Sequence, residues 1–141
     1  MDALERVVAE NEIRNLIAWL GHMADDGDID EYLARWCEDG AWGRGDGTAM
    51  QSGHEALRAR ILADRANGTQ GPGTNSRHIN TTLWVTVDSA TEAHAQSYFI
   101  YLREASSDAP TVAKTGRYKD QFRKVDGVWK YWRRQIVLDV N

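Results

Sequence analysis

Three residues combine a reactive type with a position that could use it: Asp25, His78 and Arg134. A neutral imidazole near pH 7 can take a proton from carbon or oxygen, above all when a carboxylate holds its second nitrogen. His78 opens an alternating segment behind a glycine-rich loop. A hydrogen-bonded histidine at a strand start and a general base fit that position equally. Asp25 falls at the end of the first apolar-periodic segment, where a helix dipole disfavours a carboxylate unless a cation or hydrogen bond compensates. Asp25-Asp26-Gly27-Asp28 is also ordinary turn chemistry, and spacing alone favours that plainer reading. Counting by twos, Arg134 shares a face with Val128, Lys130, Trp132, Ile136 and Leu138. A cation between Trp132 and Ile136 needs an anionic partner, Asp25 among the candidates, or a ligand.

Other polar residues carry less. His22, His54 and His94 have no metal-ligand spacing with His78, so no metal site is expected. Gly43-x-Gly45-x-Gly47 lacks the Lys-Ser/Thr of a phosphate loop and reads as turn chemistry. Ser52 and Ser97 have no nucleophile-elbow context. Lys130 to Arg134 mixes basic and aromatic residues, but a formal charge of −4 supplies no basic footprint for nucleic acid or an anionic membrane. Cys37, the one cysteine, excludes a disulfide framework. Six of the aromatic residues are Trp, a large share for so small a core. Trp129 and Tyr131 fall on the face opposite Trp132 and Arg134, toward an interface or solvent.

The elements that must position these residues follow from periodicity. Apolar residues at Val8, Ile13, Leu16, Ile17, Leu20 and Ala24 predict a helix from Leu4 to about Ala24. Gly27 can end it, and Asp28 or Asp30 can cap a short helix over Ile29 to Trp36. Ala41-Trp42 starts a short strand. Ser52 and Glu55 stand at capping-box spacing for a helix to Ala66. Asn67 to Asn75 is a loop long enough to serve as a lid. Strands are expected over 78–87, 92–102, 115–125 and 127–139, with Asp126-Gly127 as hairpin-turn chemistry. On its first face the strand from His78 carries Asn80, Thr82, Trp84 and Thr86. Leu83, Val85 and Val87 make the other face more apolar, so a bulge or bend must re-aim His78. Helices first and strands second predict one α+β domain over 1–141, with helices on one face of a curved sheet. The acidic N-terminus has no signal-peptide core and no segment is long enough to span a membrane, so a cytoplasmic chain is expected.

This order of pieces resembles the SnoaL-like branch of the nuclear transport factor 2-like superfamily over essentially the whole chain. The resemblance is carried by Ile13-Arg14-Asn15-Leu16, the Asp25-to-Trp36 segment, Ser76-Arg77-His78-Ile79-Asn80, and the Tyr118-to-Trp132 hairpin with Asp126-Gly127-Val128-Trp129-Lys130. Within the branch the pattern is most similar to hexachlorocyclohexane dehydrochlorinase and, more remotely, scytalone dehydratase. It implies a cone-shaped, largely antiparallel but mixed sheet, with a pocket between sheet and N-terminal helices. It also implies an Asp–His dyad that removes a proton from carbon: the aspartate falls on Asp25, the base on His78, and the leaving-group arginine on Arg134. Two departures stand against a dehydratase of scytalone itself. Ala24 precedes Asp25 where that pattern has tyrosine, and its second histidine falls on Ser97.

The expected function is therefore a cofactor-free lyase that eliminates water, halide or a small carbonyl from a small apolar cyclic or aromatic substrate. Trp19, Trp42, Trp84 and Trp132 are candidates for the pocket wall, with Tyr32, Tyr98 and Tyr101 as hydroxyl donors. Alternatives are an isomerase or cyclase in the same pocket, a ligand-binding protein, or the small subunit of a ring-hydroxylating dioxygenase. A homodimer or homotrimer built on the sheet's outer face is expected by the same resemblance.

Overall fold

A computed structural model describes residues 1–45 and 50–140. Its helices are α1 (Ala3–Asp26), α2 (Ile29–Ala34) and α3 (His54–Ala66), and its strands β1 (Trp36–Arg44), β2 (Gln51–Ser52), β3 (Arg77–Val87), β4 (Glu92–Arg103), β5 (Thr111–Val125) and β6 (Val128–Leu138). The strands form one curved sheet in the order β2-β1-β6-β5-β4-β3, with β1 and β6 parallel and the other pairs antiparallel. The helices lie on its inner face, giving the α+β architecture expected. No described helix is long and apolar enough to cross a membrane.

The first helix starts on a capping box that the sequence reading passed over. The Asp2 carboxylate accepts from the Glu5 N–H and the Glu5 carboxylate accepts from the Asp2 N–H, both at 2.8 Å. Ala9, Ile13, Leu16, Ile17, Leu20 and Ala24 are buried along one stripe of α1, against the sheet. Helix and strand β3 run in opposite directions. Arg6 near the helix start donates to the Val87 carbonyl, and Asp25 near its end meets His78. Asp28 caps α2 by accepting from the Asp30 and Glu31 N–H groups.

Some local expectations are overturned. Trp36 opens β1 instead of closing α2. Ser52 pairs in β2, so it does not cap α3; that helix starts after Gly53 with no side-chain cap. Gly47 of the glycine-rich stretch lies outside the described residues. The Asn67–Asn75 segment is tethered: the Tyr101 hydroxyl donates to the Thr69 carbonyl, and the Gln70 amide to Asp64.

Two bulges decide which residues face inward. In β3, Thr82 and Leu83 together oppose Ser97, with Thr82 at φ 53°. That inserted residue lets His78 and Asn80 share the inner face with Val85 and Val87, resolving the conflict in the alternation. In β6, Trp132 is the extra residue, because Arg133 pairs with Gln121 and Tyr131 with Phe122. Trp129, Tyr131 and Arg134 consequently all point inward, and Trp132 does not. At the hairpin itself, Asp126 and Gly127 both take positive φ, 51° and 79°, the two-residue turn that matches strand twist.

Gly116 is fixed by close packing. A Cβ there would sit 2.3 Å from the Val137 carbonyl oxygen and 2.7 Å from the Phe99 ring. Gly116→Ala is expected to cost about 1–3 kcal/mol through overpacking, read as a lower denaturation midpoint in urea.

Candidate functional site

The concave face of the sheet and the three helices enclose a cavity of about 110 Å³. Leu20, Ala24, Phe99, Ile136 and Leu138 supply apolar wall, and His78, Asn80, Tyr118 and Arg134 supply polar groups.

His78 is held from two sides by one carboxylate. Asp25 Oδ2 accepts from the His78 backbone N–H at 2.9 Å, and Oδ1 lies 2.5 Å from Nδ1. Asp25 is buried at the end of α1, where the dipole works against it. The two hydrogen bonds are the compensation that such a position requires. An ionised carboxylate only accepts, so a neutral His78 ring set against Asp25 in this way has its proton on Nδ1 and its lone pair on Nε2. Nε2 has no hydrogen-bond partner among the described residues, and the ring lines the cavity.

Arg134 is the second fixed group. Its Nε and Nη2 donate to the two Asp120 oxygens at 2.8 and 2.9 Å, and Nη2 also donates to the Tyr131 hydroxyl. The guanidinium carbon lies 3.7 Å from the centre of the Tyr118 ring. Burial works against the charge, but Asp120 overrides it and the guanidinium is held well above its ordinary pKa. Its partner is thus Asp120 and not Asp25. Nη1 makes no hydrogen bond to protein among the described residues, and Arg134 lines the cavity.

Tyrosines complete this end. Burial pushes the Tyr118 hydroxyl up to about 12, with Arg134 opposing and Asp120 and Asp25 adding to the rise. Tyr32 is raised as well, chiefly by burial. Both therefore stay protonated at neutral pH and can donate. The Tyr118 ring stacks on Phe99 and lies under the Arg134 guanidinium in the cavity lining. Asn80 Oδ1 and Trp42 Nε1 are buried without a hydrogen-bond partner.

Of the aromatics expected at the wall, Tyr32, Trp42 and Tyr101 line the cavity. Tyr101 spends its hydroxyl on Thr69 and presents its ring, tilted, 5.1 Å from that of His78. The other four are elsewhere. Trp84 is 70% exposed and Tyr98 is 46% exposed, both on the outer face of the sheet. The bulge turns Trp132 outward, where its ring contacts the guanidiniums of Arg123 and Arg133. Trp19 lies on another side of α1, beneath Arg35, in a separate cleft with Glu12 and Trp129. Trp129 itself is buried in the core instead of facing an interface. Sequence reasoning missed Tyr118, Asp120 and Phe99. The signal for the first two was present, because Gly116, Tyr118, Asp120 and Phe122 share one face by period two.

Residues 5–135 match the model of the SnoaL-like domain. The chain belongs to that family. The family includes ligand-binding proteins and small-molecule isomerases and dehydratases. Among solved structures, a protein of unknown function with a cystatin-like fold from Nostoc punctiforme is 26% identical; the alignment covers 100% of this chain and 96% of that one, with a TM-score of 0.80. An NTF2-like protein from Novosphingobium aromaticivorans is 27% identical over 100% of this chain and 93% of that one, at a TM-score of 0.78. A protein from the same organism provisionally assigned as a scytalone dehydratase shares the fold at 20% identity, covering 99% of this chain and 89% of that one, with a TM-score of 0.78. No curated protein matches the chain. This SnoaL-like domain thus has the α+β fold of its family, with its dyad at the helix end of the cavity.

Proposed function

We propose that the chain is a cofactor-free lyase, in which His78 abstracts a proton from carbon and a leaving group departs from the neighbouring atom. The observation that carries this reading is the dyad: Asp25 bonded to Nδ1 of His78, with Nε2 free of protein partners in the cavity wall. In the reaction Nε2 takes the proton, and the C–H electrons become the new double bond. The bond to the leaving group then breaks, and the leaving group departs with its electron pair. Asp25 holds the ring in the reactive tautomer and stabilises the imidazolium. The Arg134 Nη1 edge and the Tyr118 and Tyr32 hydroxyls face developing negative charge with donors already in place, which is where preorganised dipoles act most strongly. The apolar wall and the small volume suit a single cyclic or aromatic ring.

A likeness to the dehydratase pattern supports elimination over simple isomerisation. The closer parallel with hexachlorocyclohexane dehydrochlorinase rests on the placement of Asp25, His78 and Arg134 alone. A panel of small alicyclic and aromatic alcohols and halides tests the reading. An eliminating enzyme releases water or halide in step with product, whereas an isomerase or cyclase releases none. Turnover with no released group would overturn the lyase assignment and favour proton return to substrate. A homo-oligomer in the cytoplasm is part of the same proposal, with the exposed Trp84 and Tyr98 on the sheet's outer face as its contact.

A further inference from the structure

The walls of the cavity carry a surplus of positive charge that proton abstraction from an uncharged ring does not need. Arg44, Arg60, Lys114 and Arg134 all line it, against Asp64 as the one lining carboxylate among the described residues. Asp64 is already engaged: it accepts from Arg60 at 3.1 and 3.3 Å and from the Gln70 amide at 3.3 Å. Arg134 is paired with Asp120. Lys114 has no carboxylate partner among the described residues. Burial, then the Arg44 and Arg103 guanidiniums, lower the pKa of its ammonium, as expected where a cation is crowded by like charges. This concentration of cations sits in a chain whose formal charge is −4. A concave cationic wall on an otherwise acidic protein focuses the field on an anion entering the cavity.

The strand register fixes where that anion would lie. Tyr101 pairs with His78 on one side and with Lys114 on the other. Lys114 therefore stands level with His78, two strand spacings or roughly 10 Å away across the same face. A single substituted ring spans such a gap once both side chains reach inward.

We propose that the cavity takes a ring compound bearing a carboxylate, which Lys114 binds with help from Arg44 and Arg60 while the ring rests against Phe99 and Leu138. This deepens the lyase reading, since a substrate anchored at Lys114 turns its far carbon toward His78 Nε2. The anchoring itself does not depend on His78 acting as a base.

The test is binding of benzoate and of its neutral analogue benzamide, measured by calorimetry or ligand-observed NMR. Benzoate should bind at least about tenfold tighter, the usual scale for a charge-assisted contact in a partly buried site. Lys114→Gln should sharply reduce that preference and leave benzamide unchanged, while Lys114→Arg should retain it. Added salt should weaken benzoate alone. Equal binding of the two probes, or an undiminished preference in Lys114→Gln with the fold intact by circular dichroism, overturns the proposal. His78→Ala separates the two readings. If that variant keeps its benzoate preference but the protein eliminates nothing, the anion site stands and the lyase assignment falls.

Discussion

His78→Ala should lower turnover by about a hundred- to ten-thousand-fold, the range that a positioned general base contributes, and should cost about 1–3 kcal/mol of stability, because the buried Asp25 carboxylate loses one of its two donors. The side chain is part-buried at the cavity wall and its ring contacts Tyr101, so truncation enlarges a cavity that already exists. The backbone N–H of residue 78 would still donate to Asp25, keeping the end of α1 attached to the start of β3. Asp25→Asn should cost on the order of a hundredfold or more for a different reason. An amide can present its N–H to Nδ1, which stabilises the tautomer that carries the proton on Nε2, the nitrogen that must accept. A His78→Ala variant with undiminished turnover would remove the mechanism. Loss in His78→Ala with full activity in Asp25→Asn would leave the base in place and deny Asp25 its positioning role.

Asp120→Ala should destabilise the protein more than any other polar substitution in the site. Asp120 is 2% exposed and Arg134 9% exposed, and their bidentate pair is among the most buried charges of the molecule. Removing the carboxylate leaves a buried guanidinium with only the Tyr131 hydroxyl and the Tyr118 ring, which typically costs about 3–5 kcal/mol. For a chain of this length that corresponds to a fall in Tm on the order of 10 °C. Replacing both partners, as in Asp120→Leu with Arg134→Met, should recover much of the loss, because an apolar pair of similar volume avoids the desolvation of two ions. The double variant should also lose activity, since the Arg134 edge would no longer face the leaving group and only the Tyr118 and Tyr32 hydroxyls would remain there. Calorimetry on the single and double variants checks the stability claim. A single variant as stable as the parent would show that Arg134 has another way to be neutralised.

Much of this was legible from residue types and spacing. The stripe from Ile13 to Ala24, the alternation of the later strands and the Asp126-Gly127 turn announce their elements directly, because each follows from a period or a required backbone conformation. The dyad was legible by resemblance more than by chemistry, since an aspartate after a helix and a histidine before a strand are ordinary taken singly. What brings them together is the packing of α1 along β3, a long-range contact with no local sequence signal. The bulges were hidden for a different reason. Thr82 takes a positive φ that glycine would have advertised, and nothing about Trp132 marks it as the extra residue of β6. That one insertion is why Trp132 and Trp129 exchange faces relative to strict alternation. It also explains the partner of Arg134. Counting back from the turn, an unbroken ladder sets Arg133 opposite Asp120, whereas the bulge sets Arg134 there.

The proposed elimination needs Nε2 of His78 to be the basic nitrogen of the resting protein, held so by Asp25. Nitrogen-15 NMR of the histidine side chains reads it without any substrate, since the two-bond couplings to the ring protons distinguish the nitrogen that bears hydrogen from the one that does not. In the neutral imidazole of His78, Nδ1 should be protonated and Nε2 should carry the lone pair, with Asp25→Asn shifting the proton toward Nε2. A neutral His78 with its proton on Nε2 in the parent protein would contradict the proposed elimination.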